Sequence, residues 1–188
     1  MPIYMQNTPN NPVVLIDAPG AQRAALWGLA DLFALIPRLN PSSQALDLQV
    51  CAWDALPSKP VAAFVFVPSI EDTRPAPEHP LVDWAAQQHA QGALACSVCA
   101  GAFWLGQAGL LDHRPATTHW ALEAEFRQAF PDVRLAPEHI LVDDHDVITA
   151  GGLMAWTDLG LHLTGRWYGA EMVTRLARHL LIDPSGRE

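Results

Sequence analysis

Residues 93–109 place a strand fit for burial on both faces directly against the start of a helix, and few architectures accept that join. Ala93 to Val98 are small or apolar and carry no charge, as a central strand of a parallel sheet requires. From Ala100 the spacing changes: Phe103, Leu105, Ala108 and Leu110 recur on a helical period, and Gly109 supplies a stop. Cys99 stands at the join, where backbone N–H groups and a helix dipole lower a thiol's pKa. Ser97-Val98-Cys99-Ala100-Gly101 therefore has the form of a nucleophile elbow with cysteine in place of serine. Its small flanking residues answer the close approach of strand and helix. The alternative is a buried structural cysteine that opens a helix.

The remainder alternates in the same manner. Val13–Ile16 reads as a buried strand, and Gln22 to Ile36 as a helix with Leu26, Leu29 and Phe33 on one face, ended by Pro37. Leu46–Trp53 and Ala62–Val67 read as strands. Glu78–Gln91, Ala121–Phe130, Ala155–Thr164 and Gly169–Ile182 have helical spacing. Ile140–Val142 and Val147–Thr149 suit a hairpin around a solvated acidic tip, Asp143 to Asp146. Strands and helices in alternation predict one α/β domain over 1–188, a three-layer sandwich with a mostly parallel central sheet. Ligands of such sheets bind beyond the carboxyl ends of the strands, where Cys99 belongs.

A formal charge of −9 opposes contact with nucleic acid or an anionic membrane by this chain alone. Met1–Pro12 is polar and proline-bearing, unlike a signal peptide, and no apolar run reaches the ~18 residues of a membrane span, so a cytoplasmic protein is expected. Cys51, Cys96 and Cys99 do not form a disulfide framework. Three extended steps put Cys96 roughly 10 Å from Cys99, too far for a bridge. No second ligand pair accompanies them, so no metal and no cofactor is expected.

A cysteine nucleophile needs a base. Of the eight histidines, His119 is the candidate, in Ala116-Thr117-Thr118-His119-Trp120, a stretch poor in charge. The alternative is a buried histidine hydrogen-bonded to backbone. The other seven sit in loops or on helix faces, and Asp158 suits a helix start.

Ser97 to Phe103, Ala108-Gly109-Leu110-Leu111, Ala116 to Trp120, Pro131-Asp132-Val133, Thr149-Ala150-Gly151-Gly152 and Asp158-Leu159 together resemble the ThiJ/PfpI group of the class I glutamine-amidotransferase-like superfamily. The resemblance implies a flavodoxin-like fold. It also implies enzymes, isonitrile hydratases and glyoxalase- or protease-like members among them, that use the elbow cysteine with a nearby acid and sometimes a histidine.

Two departures bear on activity. The acid that such enzymes carry after the first strand falls at Ala25, which cannot move a proton, and Asp17 is a poor substitute because it ends the strand. Where many members have Pro-Gly-Gly, this chain has Pro68-Ser69-Ile70, which weakens an oxyanion site. Ala100 removes a further polar group beside the thiol. Gly20-Ala21-Gln22, Gly28 to Phe33 and the ending Ala177 to Pro184 resemble most the N-terminal domain of AraC-type regulators. That resemblance implies a homodimer sensing a small-molecule effector, with DNA contacted only through a helix-turn-helix module absent from this chain. The expected ligand site comprises Ser69, Ile70, Cys99, Ala100, His119, Trp120 and Trp156. The competing expectation is a hydratase, lyase or hydrolase with Cys99 as nucleophile and His119 as base.

Overall fold

The computed structural model describes residues 8–71 and 74–183. The N-terminal part of the Met1–Pro12 reading, and Pro184 of the terminal motif, lie outside the described residues.

Six strands form the sheet in the order β2-β1-β3-β4-β8-β7. They are β1 (Val13–Asp17), β2 (Leu48–Ala52), β3 (Ala63–Phe66), β4 (Leu94–Val98), β7 (Leu141–Asp144) and β8 (Val147–Ala150). All neighbours are parallel except β7, which returns antiparallel beside β8. The sheet is covered by α1 (Arg23–Leu39), α5 (Trp156–Tyr168) and α6 (Ala170–Leu180) on one face. The opposite face carries α2 (Pro80–Ala90), α3 (Ala102–Gln107) and α4 (Glu123–Ala129). This is the three-layer α/β sandwich that the alternation predicts, in the flavodoxin-like form that the resemblance implies.

The two-sided burial follows from the strands' period of two. Val13 and Leu15 of β1, Ala63 and Val65 of β3, and Leu94, Cys96 and Val98 of β4 face the α1 side. Val14, Ile16, Phe64, Phe66 and Ala95 face the other. Both sets are apolar, so neither face of the central strands can be left in water.

Several boundaries differ from the sequence expectation. Pro37 lies inside α1, which runs on to Leu39. One turn from a helix end, proline forfeits a single backbone bond, and the Asn40 N–H still reaches the Ile36 carbonyl at 2.9 Å. α5 continues to Tyr168, four residues beyond the expected end, and yields to α6 only at Gly169, whose φ of 85° breaks the helix. A two-stranded parallel pair, β5 (Pro115–Ala116) with β6 (Arg134–Leu135), is too short to show a period. Among the described residues no helix is long and apolar enough to cross a membrane.

The hairpin tip is not simply solvated. Asp146 takes a 2.6 Å hydrogen bond from Arg114 and lies 2.9 Å from His89. Asp144 pairs with Arg114, and Asp143 with His162 and Arg166. These contacts tie β7 and β8 to α2, α5 and the segment before β5.

Two predictions follow from this packing. A Cβ on Gly101 would stand 2.4 Å from the Phe66 carbonyl oxygen, whereas one on Gly152 would meet nothing. Gly101→Ala should therefore lower unfolding free energy by roughly 1–3 kcal/mol in urea titration, and Gly152→Ala by less than about 0.5 kcal/mol. Asp146 is held down to about 2, chiefly by the Arg114 hydrogen bond and against partial burial. Because its folded pKa is depressed, its contribution is complete above pH ~4 and vanishes as pH falls through about 2. The stability gap between wild type and Arg114→Gln should narrow across that window in unfolding curves.

Candidate active site

β4 ends at Val98 in extended backbone, and Cys99 follows with φ 54°. A non-glycine residue in this region is strained and persists only where its surroundings impose it. Here the surroundings are the close approach of the next turn to β3. Gly101, the last residue of a 3-10 turn over Cys99–Gly101, has no room for a side chain beside the carbonyls of Phe66 and Val67. The small residues around the cysteine are thus required by backbone proximity.

The segment 116–119 crosses the sheet's carboxyl edge toward this bend. The β5–β6 pair aims it. The Thr117 N–H donates to Thr149 Oγ1 at 2.8 Å, and Thr117 Oγ1 donates to the His139 carbonyl at 2.8 Å. Thr118 Oγ1 donates to the Cys99 carbonyl, also at 2.8 Å. A Cβ on Gly151 would lie 3.4 Å from the carbonyls of Thr118 and His139, so β8 leaves the sheet through a narrow gap. Motifs scattered over 50 residues in sequence meet at one backbone cluster.

The sulfur's electrostatics run against the expectation of an activated thiol. Burial raises the Cys99 pKa, and the Ala100 N–H and the Arg74 guanidinium only partly oppose it. α3 has six residues and begins through a 3-10 turn, so its aligned dipole is short. Arg74 is committed elsewhere. Its Nε and Nη2 donate to Glu125 at 2.7 and 2.8 Å, and its guanidinium lies 4.6 Å over the Phe103 ring. Among the described residues no carboxylate hydrogen-bonds the thiol. Ala25 is fully buried in α1, and Asp17 pairs with Arg23 at 2.8 Å.

His119 is half-buried, and its Nδ1 accepts the Ala121 N–H at 3.1 Å to cap the turn before α4. In the neutral ring that bond places the proton on Nε2, which leaves a donor rather than a base on the free side. The backbone-bonded alternative describes this histidine, although it is not fully buried.

Of the other predicted residues, Ala100 is buried beside the bend. Ser69 and Ile70 lie on a segment bridged to Ala21. The Ile70 N–H donates to the Gly20 carbonyl at 3.0 Å, and the Gln22 N–H donates to that of Pro68 at 2.8 Å. The Ile70 amide is therefore spent within the bridge. Ser69 Oγ turns to Glu71, donating to its carbonyl at 2.8 Å. Ile70 is 66% and Trp120 74% exposed. Trp156 packs its ring against Gly28 of α1, where no side chain fits, and its Nε1 is buried without a partner. Cys96 is fully buried in β4, and all three cysteines are free. Among the described residues no group of three or more His, Cys, Asp or Glu converges as metal ligands do. Sequence reasoning missed Arg74; only its place in the proline-rich loop after β3 pointed to it.

Comparison with known proteins places this geometry. The chain is 36% identical to the HTH-type transcriptional regulator ArgR of Pseudomonas aeruginosa over 115 residues, which are 61% of this chain and 35% of that regulator. It is 31% identical to the regulator GbdR of the same species over 102 residues, 54% of this chain and 28% of that one. The match thus spans about a third of the length of these curated regulators. Isonitrile hydratase of Pseudomonas putida is 29% identical over 178 residues, 89% of this chain and 76% of that enzyme. Among solved structures, an AraC family transcriptional regulator from Pseudomonas putida superposes with a TM-score of 0.77 at 20% identity, covering 90% of this chain and 99% of that one. Drosophila melanogaster DJ-1beta gives 0.75 at 18%, covering 92% and 98%. At such identities the superpositions speak for the fold alone. The profile of the DJ-1/PfpI family matches residues 70–165, the stretch that carries the bend, the 116–119 crossing and the β8 exit, and the chain belongs to that family.

Proposed function

We propose that this chain is the ligand-sensing, dimerising domain of an AraC-type transcriptional regulator and that Cys99 performs no catalysis in it. One observation supports this above the rest: among the described residues no carboxylate bonds the sulfur, and burial disfavours its thiolate. Nucleophilic catalysis needs the ionised thiol and a base to generate it. His119 spends Nδ1 on a backbone cap, and the Ile70 amide is spent on Gly20. The regulators among its relatives support the same reading.

In this reading a small effector sits at the sheet's carboxyl edge beside Ser69, Ile70, Cys99, Ala100 and His119, with Trp120 and Trp156 flanking. The single domain spans 1–188, and DNA contact belongs to a helix-turn-helix module outside it. Effector binding acts through a difference in affinity between two arrangements of the dimer.

A second reading, a cysteine enzyme of the hydratase kind, is favoured by the strained φ of Cys99 and by the long alignment with isonitrile hydratase.

The two readings separate in three measurements. With Cys51→Ser removing the half-buried thiol, iodoacetamide alkylation of Cys99 followed by mass spectrometry should accelerate only above its ordinary value of 9.0. Arg74→Gln, which removes a charge that lowers the pKa, should move the profile further up. A rate already level below neutral pH favours the enzyme. Wild type should not turn over an alkyl isonitrile; turnover lost in Cys99→Ala would overturn the sensor. Sedimentation equilibrium should give a particle of twice the 20.5 kDa chain mass, and a monomer would remove the dimer.

A further inference from the structure

We infer that the cleft at the sheet's switch point, on the β1–β2 side of the cysteine bend, is a binding site for a small organic molecule carrying an ammonium group. From β1 the chain passes outward to β2 and then returns to the other side of β1 with β3, so the strand order reverses between β1 and β3. Loops leaving neighbouring strands in opposite directions open a crevice, and open α/β sheets bind ligands there. This one holds a cavity of about 390 Å³, within the range of small-molecule sites. Its walls come from the end of β1, the turn after it, the end of β2 and the loop after β3. Cys99 and His119 do not line it.

The lining sets the ligand's charge. Asp17 and Glu71 contribute two carboxylates, and Arg23 one guanidinium. Arg23 lies across the Asp17 carboxylate at 2.8 Å, but its side chain is 71% exposed, and surface pairs of that kind hold weakly. The net formal charge of the described lining residues is therefore negative, which favours a cation. An arginine so loosely held can remain on Asp17 or turn to an acidic group on the same ligand.

The lining also sets the ligand's body. Trp53 and Ile70 line the cleft and are 39% and 66% exposed, so both offer apolar surface to whatever enters it. The Trp53 ring is held in place, 5.0 Å from that of His79, whose Nδ1 accepts the Leu81 N–H at the start of α2. An indole that lines the same cleft as two acidic residues suits an ammonium, which gains from the ring face as well as from the charges. Ile70 offers an apolar contact to the chain attached to it.

The inference goes beyond the regulatory reading and stands on the cleft alone. It is tested by titrating the ¹⁵N-labelled chain with n-butylammonium chloride, with sodium butyrate and sodium chloride as matched controls. The Trp53 indole N–H signal is identified by its loss in Trp53→Phe. The expected result is a saturable shift of that signal by n-butylammonium with a dissociation constant roughly millimolar, as so small a ligand allows. Butyrate and sodium chloride should leave it in place. Asp17→Asn and Glu71→Gln should each weaken binding about fivefold or more, since each removes one carboxylate next to the cation. Glu71 is exposed in a loop, so its substitution leaves the fold intact even if that of Asp17 does not. No saturable shift up to about 50 mM, an equal shift with butyrate, or unchanged affinity in Glu71→Gln overturns the inference. Dimer mass and isonitrile turnover are unaffected by that outcome, so the regulatory reading and this one fail separately.

Discussion

The approach of Gly101 to the Phe66 carbonyl governs the rest of this molecule. β4 cannot leave the sheet in any direction that would put a side chain at that point, so the chain turns at Cys99 with a positive φ. A strained residue costs on the order of 1–3 kcal/mol, which the packing on both sides of the turn must offset. Val98, Cys99 and Ala100 are buried on one side and Ala102, Phe103 and Leu105 on the other. The bend is therefore rigid whether or not it performs chemistry. Its carbonyl then gives Thr118 an acceptor, which fixes the 116–119 crossing, and that crossing in turn constrains the exit of β8 at Gly151.

A rigid bend with a sulfur on it admits opposite chemistries, and the surroundings decide between them. An activated thiol needs several groups acting in the same direction. Here one backbone N–H and one guanidinium oppose burial and lose. The guanidinium is itself neutralised by two short bonds to Glu125 and rests on the Phe103 ring. Arg74 thus acts mainly as a clasp between the loop after β3 and α4. An alanine at position 25 completes the picture, since it fills core volume and offers nothing to the sulfur.

The sequence was legible where burial is two-sided and illegible where it is local. β1, β3 and β4 announce themselves through uninterrupted apolar runs, and Ser97-Val98-Cys99-Ala100-Gly101 through small residues around a nucleophile type. The β5–β6 pair has two residues per strand, too few for any period, yet it aims His119. Pro37 reads as a stop because proline usually is one; that it sits a single turn before the end depends on where Asn40 finds its acceptor. The acidic tip reads as solvated because its partners, Arg114, His89, His162 and Arg166, come from distant parts of the chain. The lowering of the Cys99 pKa expected from a helix start fails for the same kind of reason. The length of α3 and the depth of the sulfur are tertiary facts.

The two regions at the carboxyl edge are physically joined, which bears on how a cleft without the cysteine can matter to the whole. Trp53 meets His79 at 5.0 Å, His79 meets Trp104 edge-on at 4.9 Å, and Trp104 stacks on Phe66 at 5.4 Å and 5°. Trp104 belongs to α3, the helix that the cysteine bend begins, and Phe66 carries the carbonyl that excludes a side chain at position 101. Close-packed rings transmit displacement because no void absorbs it. A ligand that shifts Trp53 therefore acts on the start of α2 and on α3 together, without touching the sulfur. Any bias that such a ligand imposes along this route equals its difference in affinity for the arrangements of the rings it separates.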